Sequence, residues 1–216
     1  MRISRVSNAG VLLELDGVSI LMDGVCREVK PYPATPSEVK KALTEHFPDL
    51  VAFTHAHKDH YDPDYAAEYE KQTGGVILGP EDLPHSSAVM QPRTLGAVTV
   101  MPIPSRHIGA AGKITPHASF VISGSWCVWF TGDAAPTQWR QCDLPKPDLL
   151  IVPYAYAATP SAWEMTKAFR PKKIVLLHLP DRNADPYDLW QTVERTMGRE
   201  FDTLLIPQLG ESLYLE

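Results

Sequence analysis

The chain has 216 residues, 44% hydrophobic and 21% charged, a balance that suits one folded domain over residues 1–216 and excludes a disordered or fibrous polymer. A formal charge of −6 with no run of Lys or Arg excludes nucleic acid as the main partner. No stretch approaches about eighteen uninterrupted apolar residues, and the start, MRISRVSNAGVLLELDG, lacks the apolar centre of an export signal, so a cytoplasmic protein with no membrane partner is expected.

Strands are predicted at Arg2–Val6, Val11–Leu15 and Val18–Met22, the last two joined by the hairpin signal Asp16-Gly17. Thr35-Pro36-Ser37-Glu38 reads as a helix start with Pro at the first helical position. Val39, Ala42, Leu43 and Phe47 then repeat at helical spacing up to Pro48. The apolar run Asp49–Thr54 suits a strand buried on both faces, and it delivers the chain into His55. A second helix is predicted over Pro63–Gln72, then strands at Gly75–Leu78 and Val98–Pro102 and a hairpin of Ser119–Ile122 with Cys127–Phe130. Strand and helix alternate in the last third: Leu149–Val152, Ser161–Phe169, Lys173–Leu177 and Pro186–Met197. Closing strands near Leu204–Ile206 and Ser212–Leu215 complete a second sheet.

Three widely spaced cysteines, Cys26, Cys127 and Cys142, contain no C-x-x-C pair, so neither a disulfide framework nor a thiolate zinc site is expected; Cys127 reads as core filling. Metal ligation is offered elsewhere. Residues 54–60, Thr54-His55-Ala56-His57-Lys58-Asp59-His60, pack three imidazoles and a carboxylate into one turn. Imidazole nitrogen and carboxylate oxygen hold zinc without thiolates, and residues one and two apart in a tight turn can aim at neighbouring ions.

The segment T-H-A-H-K-D-H resembles the H-x-H-x-D-H signature of the metallo-β-lactamase superfamily. Three further motifs follow in the order that family keeps: P-S-R-H-I-G with His107, F-T-G-D with Asp133 and I-V-L-L-H with His178. The strand-terminal V-S-I-L-M-D ends in Asp23, so the resemblance runs from about Val11 to His178. It implies an α/β fold, the four-layer αβ/βα sandwich of two mixed sheets flanked by helices. It also implies two divalent metal ions, zinc first, with manganese or iron as alternatives. His55, His57 and His107 would bind one ion, Asp59, His60 and His178 the other, and Asp133 would bridge them. Asp59 and His178 would take part in catalysis as well. Asp23 is expected either to orient a ligand or to serve only the turn. His46 and His85 match no motif position, and His117 would reach at most the rim.

Two such ions make hydroxide available near neutral pH and polarise the electrophile, and the chain has no G-x-S-x-G elbow, P-loop or dinucleotide fingerprint to suggest another chemistry. Among branches of the family, the glyoxalase II type adds a helical domain after the sandwich and the RNA-processing type adds an insert and basic surfaces. The compact branch similar to ascorbate-6-phosphate lactonase fits best. The expectation is a hydrolase of a small ester, lactone or phosphodiester, anionic ones included, with Lys58, Arg106, Lys113 and Arg182 as cations for it. The competing expectations are an iron-dependent oxygenase or redox protein on the same fold, and a metal-binding module without catalysis. Oligomeric state is not encoded in these features.

Overall fold

The computed structural model describes residues 1–86, 88–109, 115–141, 143–197 and 203–216. In chain order the first half runs β1 (Arg2–Arg5), β2 (Val11–Leu15), β3 (Val18–Met22), α1 (Ser37–Glu45), β4 (Leu50–Ala52), α2 (Pro63–Thr73), β5 (Ile77–Gly79) and β6 (Ala88–Val89). Then come β7 (Arg93–Leu95), β8 (Val98–Arg106), β9 (Pro116–Ser123), β10 (Cys127–Phe130), β11 (Leu149–Pro153), α3 (Tyr154–Ala158) and α4 (Pro160–Ala168). The chain closes with β12 (Lys173–Leu177), α5 (Leu189–Met197), β13 (Leu204–Leu205) and β14 (Ser212–Tyr214).

Two seven-stranded mixed sheets form, ordered β14-β1-β2-β3-β4-β5-β6 and β13-β12-β11-β10-β9-β8-β7. Side chains alternate along the strands and so build three apolar layers. Leu50 and Ala52 of β4, Leu149 and Ile151 of β11, and Val175 and Leu177 of β12 point between the sheets, with Phe120 and Phe130. Their neighbours Val51 and Phe53 point outward to meet Leu43 of α1 and Tyr65 and Tyr69 of α2. On the other side Leu150, Val152, Ile174 and Leu176 meet Trp163 of α4 and Val193 and Met197 of α5. Each such apolar side chain stabilises the sandwich by about 1.5–3 kcal/mol relative to exposure. The result is the αβ/βα sandwich expected from the sequence.

Several elements differ from expectation for physical reasons. Thr35 does not cap α1; its hydroxyl accepts the Cys26 N–H at 2.9 Å and donates to the Gly24 carbonyl at 3.2 Å, tying the loop before the helix to the end of β3. Strand β8 continues past Pro102 to Arg106, pairing with β9 up to Arg106↔Pro116. Its neighbour β7 covers only Val98–Val100, so Pro102 and Pro104 stand where one side of the strand is an edge and a missing N–H is tolerated. β14 does not close the second sheet but returns to the first, antiparallel to β1. Short α3 follows β11 directly, where no helix was expected, and Cys127 is half-buried at the start of β10 rather than in the core. Cys142 and Lys113 lie outside the described residues. Among the described residues no helix is long and apolar enough to cross a membrane.

β3, β4 and β5 run parallel, as do β10, β11 and β12. Their C-terminal ends therefore open at one end of the sandwich, where loops of both sheets meet.

Candidate metal centre

That end gathers every ligand-type residue singled out from the sequence. β4 leads into the turn 54–60, closed by the His60 and Tyr61 N–H groups on the His57 carbonyl at 3.0 and 2.9 Å. β8 delivers His107, β10 delivers Asp133 and β12 delivers His178. The loops are tied together: Ala118 N–H donates to the Thr54 carbonyl at 2.8 Å, Ile108 N–H to the Asp133 carbonyl at 2.8 Å, and Ala135 N–H to the Arg106 carbonyl at 2.6 Å. Gly132, at φ +52°, allows the Gly-Asp turn to lie on Thr54, since a Cβ there would sit 2.5 Å from Thr54 Cγ2.

Among the described residues three groups have the spacing to hold a metal ion, their ligand atoms lying within 4.8 Å of one another: His55 with His57 and His107, Asp59 with His60 and His178, and His55 with His60 and Asp133. The first two coincide with the two sets implied by the motif. The third takes one histidine from each and adds Asp133, which places that carboxylate between them. Its Oδ2 lies 3.6 Å from His60 Nε2 and 3.7 Å from both His107 Nε2 and His178 Nε2.

Hydrogen bonds fix which ring nitrogen faces inward. Buried Asp23 accepts the Thr54 N–H on Oδ1 and both the Thr54 hydroxyl and the His60 Nδ1–H on Oδ2, at 2.7, 2.7 and 2.8 Å. Thr54 Oγ1 has then spent its proton, so at 2.9 Å it accepts from His55 Nδ1–H. His107 Nδ1–H donates to the Ile108 carbonyl at 2.8 Å. In all three rings Nδ1 is engaged by these partners and Nε2 is the nitrogen that faces the centre. Nε2 of His55, Nε2 of His107 and Oδ1 of Asp133 are buried there with no hydrogen-bond partner. Such orphans are rare, and a cation is the partner that suits converging nitrogen and oxygen lone pairs.

The electrostatics agree with that donor set. Burial works to raise the Asp133 carboxyl, but His178, His60 and His55 outweigh it and hold it well below the usual carboxylate range. Burial likewise opposes the shift at Asp59, which His178 and His60 bring down. His60 loses solvation, yet Asp133 and Asp23 hold its imidazole well above the ordinary value, whereas burial pushes His55 and His57 down. The pocket thus favours positive charge between its carboxylates and disfavours it on the His55 and His57 rings.

His117 was expected at the rim and is instead 4% exposed beneath Asp133. Its Nε2 accepts the Asp133 N–H at 3.1 Å and its Nδ1–H donates to Ser105 Oγ at 2.6 Å; Ser105 and Ser119 hydroxyls lie 3.1 Å apart, and Ser119 donates to the Thr131 carbonyl at 2.7 Å. The chain of bonds starts and ends on the Asp133 loop. Burial lowers the His117 imidazole to about 3, so it stays a neutral acceptor.

Of the cations, Arg182 pairs with Glu194 at 2.9 Å and covers the Trp190 ring at 3.8 Å, which commits it elsewhere. Lys58 and Arg106 are exposed beside the centre. His85 pairs with Glu70 at 3.1 Å on the surface, and His46 is exposed just after α1. Sequence reasoning missed Tyr32 and Tyr154, which stand edge-on to His178 with ring centroids 4.5 and 6.1 Å away. Burial pushes both phenols up, so they remain O–H donors at neutral pH. It also missed Asn8, whose S-N-A-G setting reads as an ordinary turn.

Fold and centre together place the chain among the metal-dependent hydrolases of the metallo-β-lactamase superfamily. Residues 2–178 match the family model described as the beta-lactamase superfamily domain, and the chain belongs to that family. It is 25% identical over 239 residues to the UPF0173 metal-dependent hydrolase of Methanopyrus kandleri, covering 98% of this chain and 99% of the relative. Among solved structures it is similar to an isothiocyanate hydrolase from Delia radicum gut bacteria, with TM-score 0.68, 16% identity and coverage of 100% and 99% of the two chains. It is also similar to CmlA, a diiron β-hydroxylase from Streptomyces venezuelae, with TM-score 0.68 and 15% identity over 99% of this chain and 54% of that one.

Proposed function

We propose that the chain is a binuclear metal hydrolase of small esters, lactones or phosphodiesters, with His55, His57 and His107 holding one ion, Asp59, His60 and His178 the other, and Asp133 between them. The observation that carries this reading is the convergence of three buried, partnerless lone-pair atoms on a pocket where Asp133 reaches both sets. Two ions bound there, zinc by the choice of nitrogen and oxygen donors, would supply hydroxide near neutral pH and polarise the scissile bond. Asp59, half-buried with Oδ2 3.4 Å from His178 Nε2, would orient the attacking water and take its proton. His178 holds its place beside Asp59 and serves both binding and catalysis. On the same side Tyr32 donates its hydroxyl to Tyr154, and the Tyr154 hydroxyl would in turn donate to a substrate oxygen. The reading takes residues 1–216 as one domain, because β14 from the end of the chain completes the sheet that β1 begins.

Substrate size and charge follow from the surface. A net charge of −6 offers no track for a long RNA, whose affinity rests on phosphate contacts. A small anion needs only the centre and one or two side chains such as Lys58 and Arg106. Elemental analysis of reconstituted protein should give two ions per chain. A metal-replete panel should show turnover of small lactones or phosphodiesters and poor turnover of glutathione thioesters, long RNA and β-lactams. One ion at saturation, or efficient thioester or RNA cleavage with none of the small substrates, would overturn it. Oxygen uptake with iron loaded would instead favour the oxygenase chemistry of the diiron fold relative.

A further inference from the structure

His60, His55 and His107 each have a partner that takes the Nδ1 proton, whereas His178 faces an amide. Asn8, 3% exposed in the turn between β1 and β2, places its Nδ2 3.2 Å from His178 Nδ1, and its Oδ1 is buried without a partner. An amide and an imidazole match in two ways only. With Nδ2–H donated to a bare Nδ1, the ring proton sits on Nε2 and Oδ1 stays orphaned. With the amide turned, Oδ1 accepts Nδ1–H and Nε2 carries a lone pair, while the NH2 group takes the buried position without a partner. Nε2 is the atom that lies 3.1 Å from His60 Nε2 and 3.4 Å from Asp59 Oδ2.

The backbone around this contact is held by an unusual partner. The Arg5 guanidinium, 8% exposed, donates to the carbonyls of Ser7, Pro207, Asn8 and Leu179 at 3.2, 3.0, 3.1 and 3.0 Å. Among the described residues it pairs with no carboxylate. His178 N–H donates to the same Asn8 carbonyl at 3.2 Å, and His178 itself is held at φ +66°, a left-handed conformation that a non-glycine residue keeps only when its surroundings impose it. The turn carrying Asn8 and the strand end carrying His178 are thus locked to each other by backbone as well as side chain.

We propose that Asn8 is the positioning residue of His178: its amide oxygen takes the Nδ1 proton so that Nε2 faces the second ion, and Arg5 fixes the two backbones that bring the groups together. The inference rests on the metal reading above. Histidine ligands gain affinity from such an outer acceptor, typically ten- to a hundredfold. Asn8→Asp keeps the acceptor; Asn8→Leu removes it at similar size.

The test is zinc titration of the metal-stripped full chain by calorimetry, with a nitrogen-15 histidine spectrum of the zinc-loaded parent. Asn8→Leu should weaken one of the two sites by roughly ten- to a hundredfold and leave the other unchanged, Asn8→Asp should bind at least as tightly as the parent, and His178 should carry its proton on Nδ1. Parent-like binding by Asn8→Leu, equal losses in both variants, or a loss shared evenly by both sites would overturn the proposal. If Asn8→Leu does not fold, the spectrum decides alone, since a proton on His178 Nε2 excludes the arrangement. A parent that binds a single zinc overturns the two-ion reading, while the His178 tautomer still decides the role of Asn8.

Discussion

The two proposed ligand sets are built to different standards of rigidity. His60 is fully buried and bonded directly to Asp23, and His178 is gripped through its backbone at the end of β12. In the first set, by contrast, His57 is exposed and His55 reaches Asp23 only through the Thr54 hydroxyl. A set held by short bonds to buried partners loses little freedom on binding a metal, whereas a set with one exposed ring must order it. The second set should therefore fill first and release last, and the first set should be the one that exchanges with solvent.

The comparison breaks most completely at Asp133, the residue common to both sides. Asp133→Ala should lower hydrolysis by more than about a hundredfold and weaken both sites in a zinc titration, exceeding the ten- to hundredfold typical of outer partners. His117→Ala, which removes only the acceptor of the Asp133 N–H, should cost roughly tenfold in the same assay. Equal losses would mean that Asp133 does not join the sets.

Asp23→Ala sharpens the comparison. It strips His60 directly and His55 through Thr54, so the second site should lose about ten- to a hundredfold in zinc affinity and the first distinctly less. Even losses would show that the two sets are held alike.

The smallest effect lies outside the centre, at the cap of α2. Asp62 accepts the Asp64 N–H at 3.0 Å and pairs with Lys40 at 2.7 Å and Arg27 at 3.3 Å. Burial works against it, but Lys40 and the Asp64 N–H hold its carboxyl below the usual value. A depressed folded value means stability that is whole above the unfolded value of about 3.9 and lost as pH falls through the lower folded one. Both cations are partly exposed, so Asp62→Asn, which keeps a capping oxygen, should cost about 1 kcal/mol in denaturant melts at neutral pH. The difference should fade in acid. Metal occupancy should not change.

How much of this was legible in the sequence depends on how far each signal reaches. Val11–Leu15, Val18–Met22, Cys127–Phe130 and Lys173–Leu177 could be read to the residue, because turn residues and apolar runs bound them locally. β8 was cut short at Pro102, since proline normally ends a strand and only the shortness of β7 makes it harmless. The return of β14 to β1 is a pairing across more than two hundred residues, for which periodicity carries no information. In the centre, the ligand types were visible as a dense turn and three strand-end motifs. Asn8, Tyr32 and the depth of His117 were not, because each matters through contacts between distant loops rather than through its own neighbours.

Asp23, Asp59 and Asp133 face imidazoles, hydroxyls and backbone, and among the described residues no lysine or arginine forms an ion pair with them. Two divalent cations would set four positive charges against those three negative ones, and the hydroxide they supply would cancel the surplus. Such a centre has no net charge to draw in a polyanion. In the proposed reading, discrimination by charge falls to the rim, where exposed Lys58 and Arg106 stand on different loops, so altering either should change which substrates are selected while metal binding stays as it is.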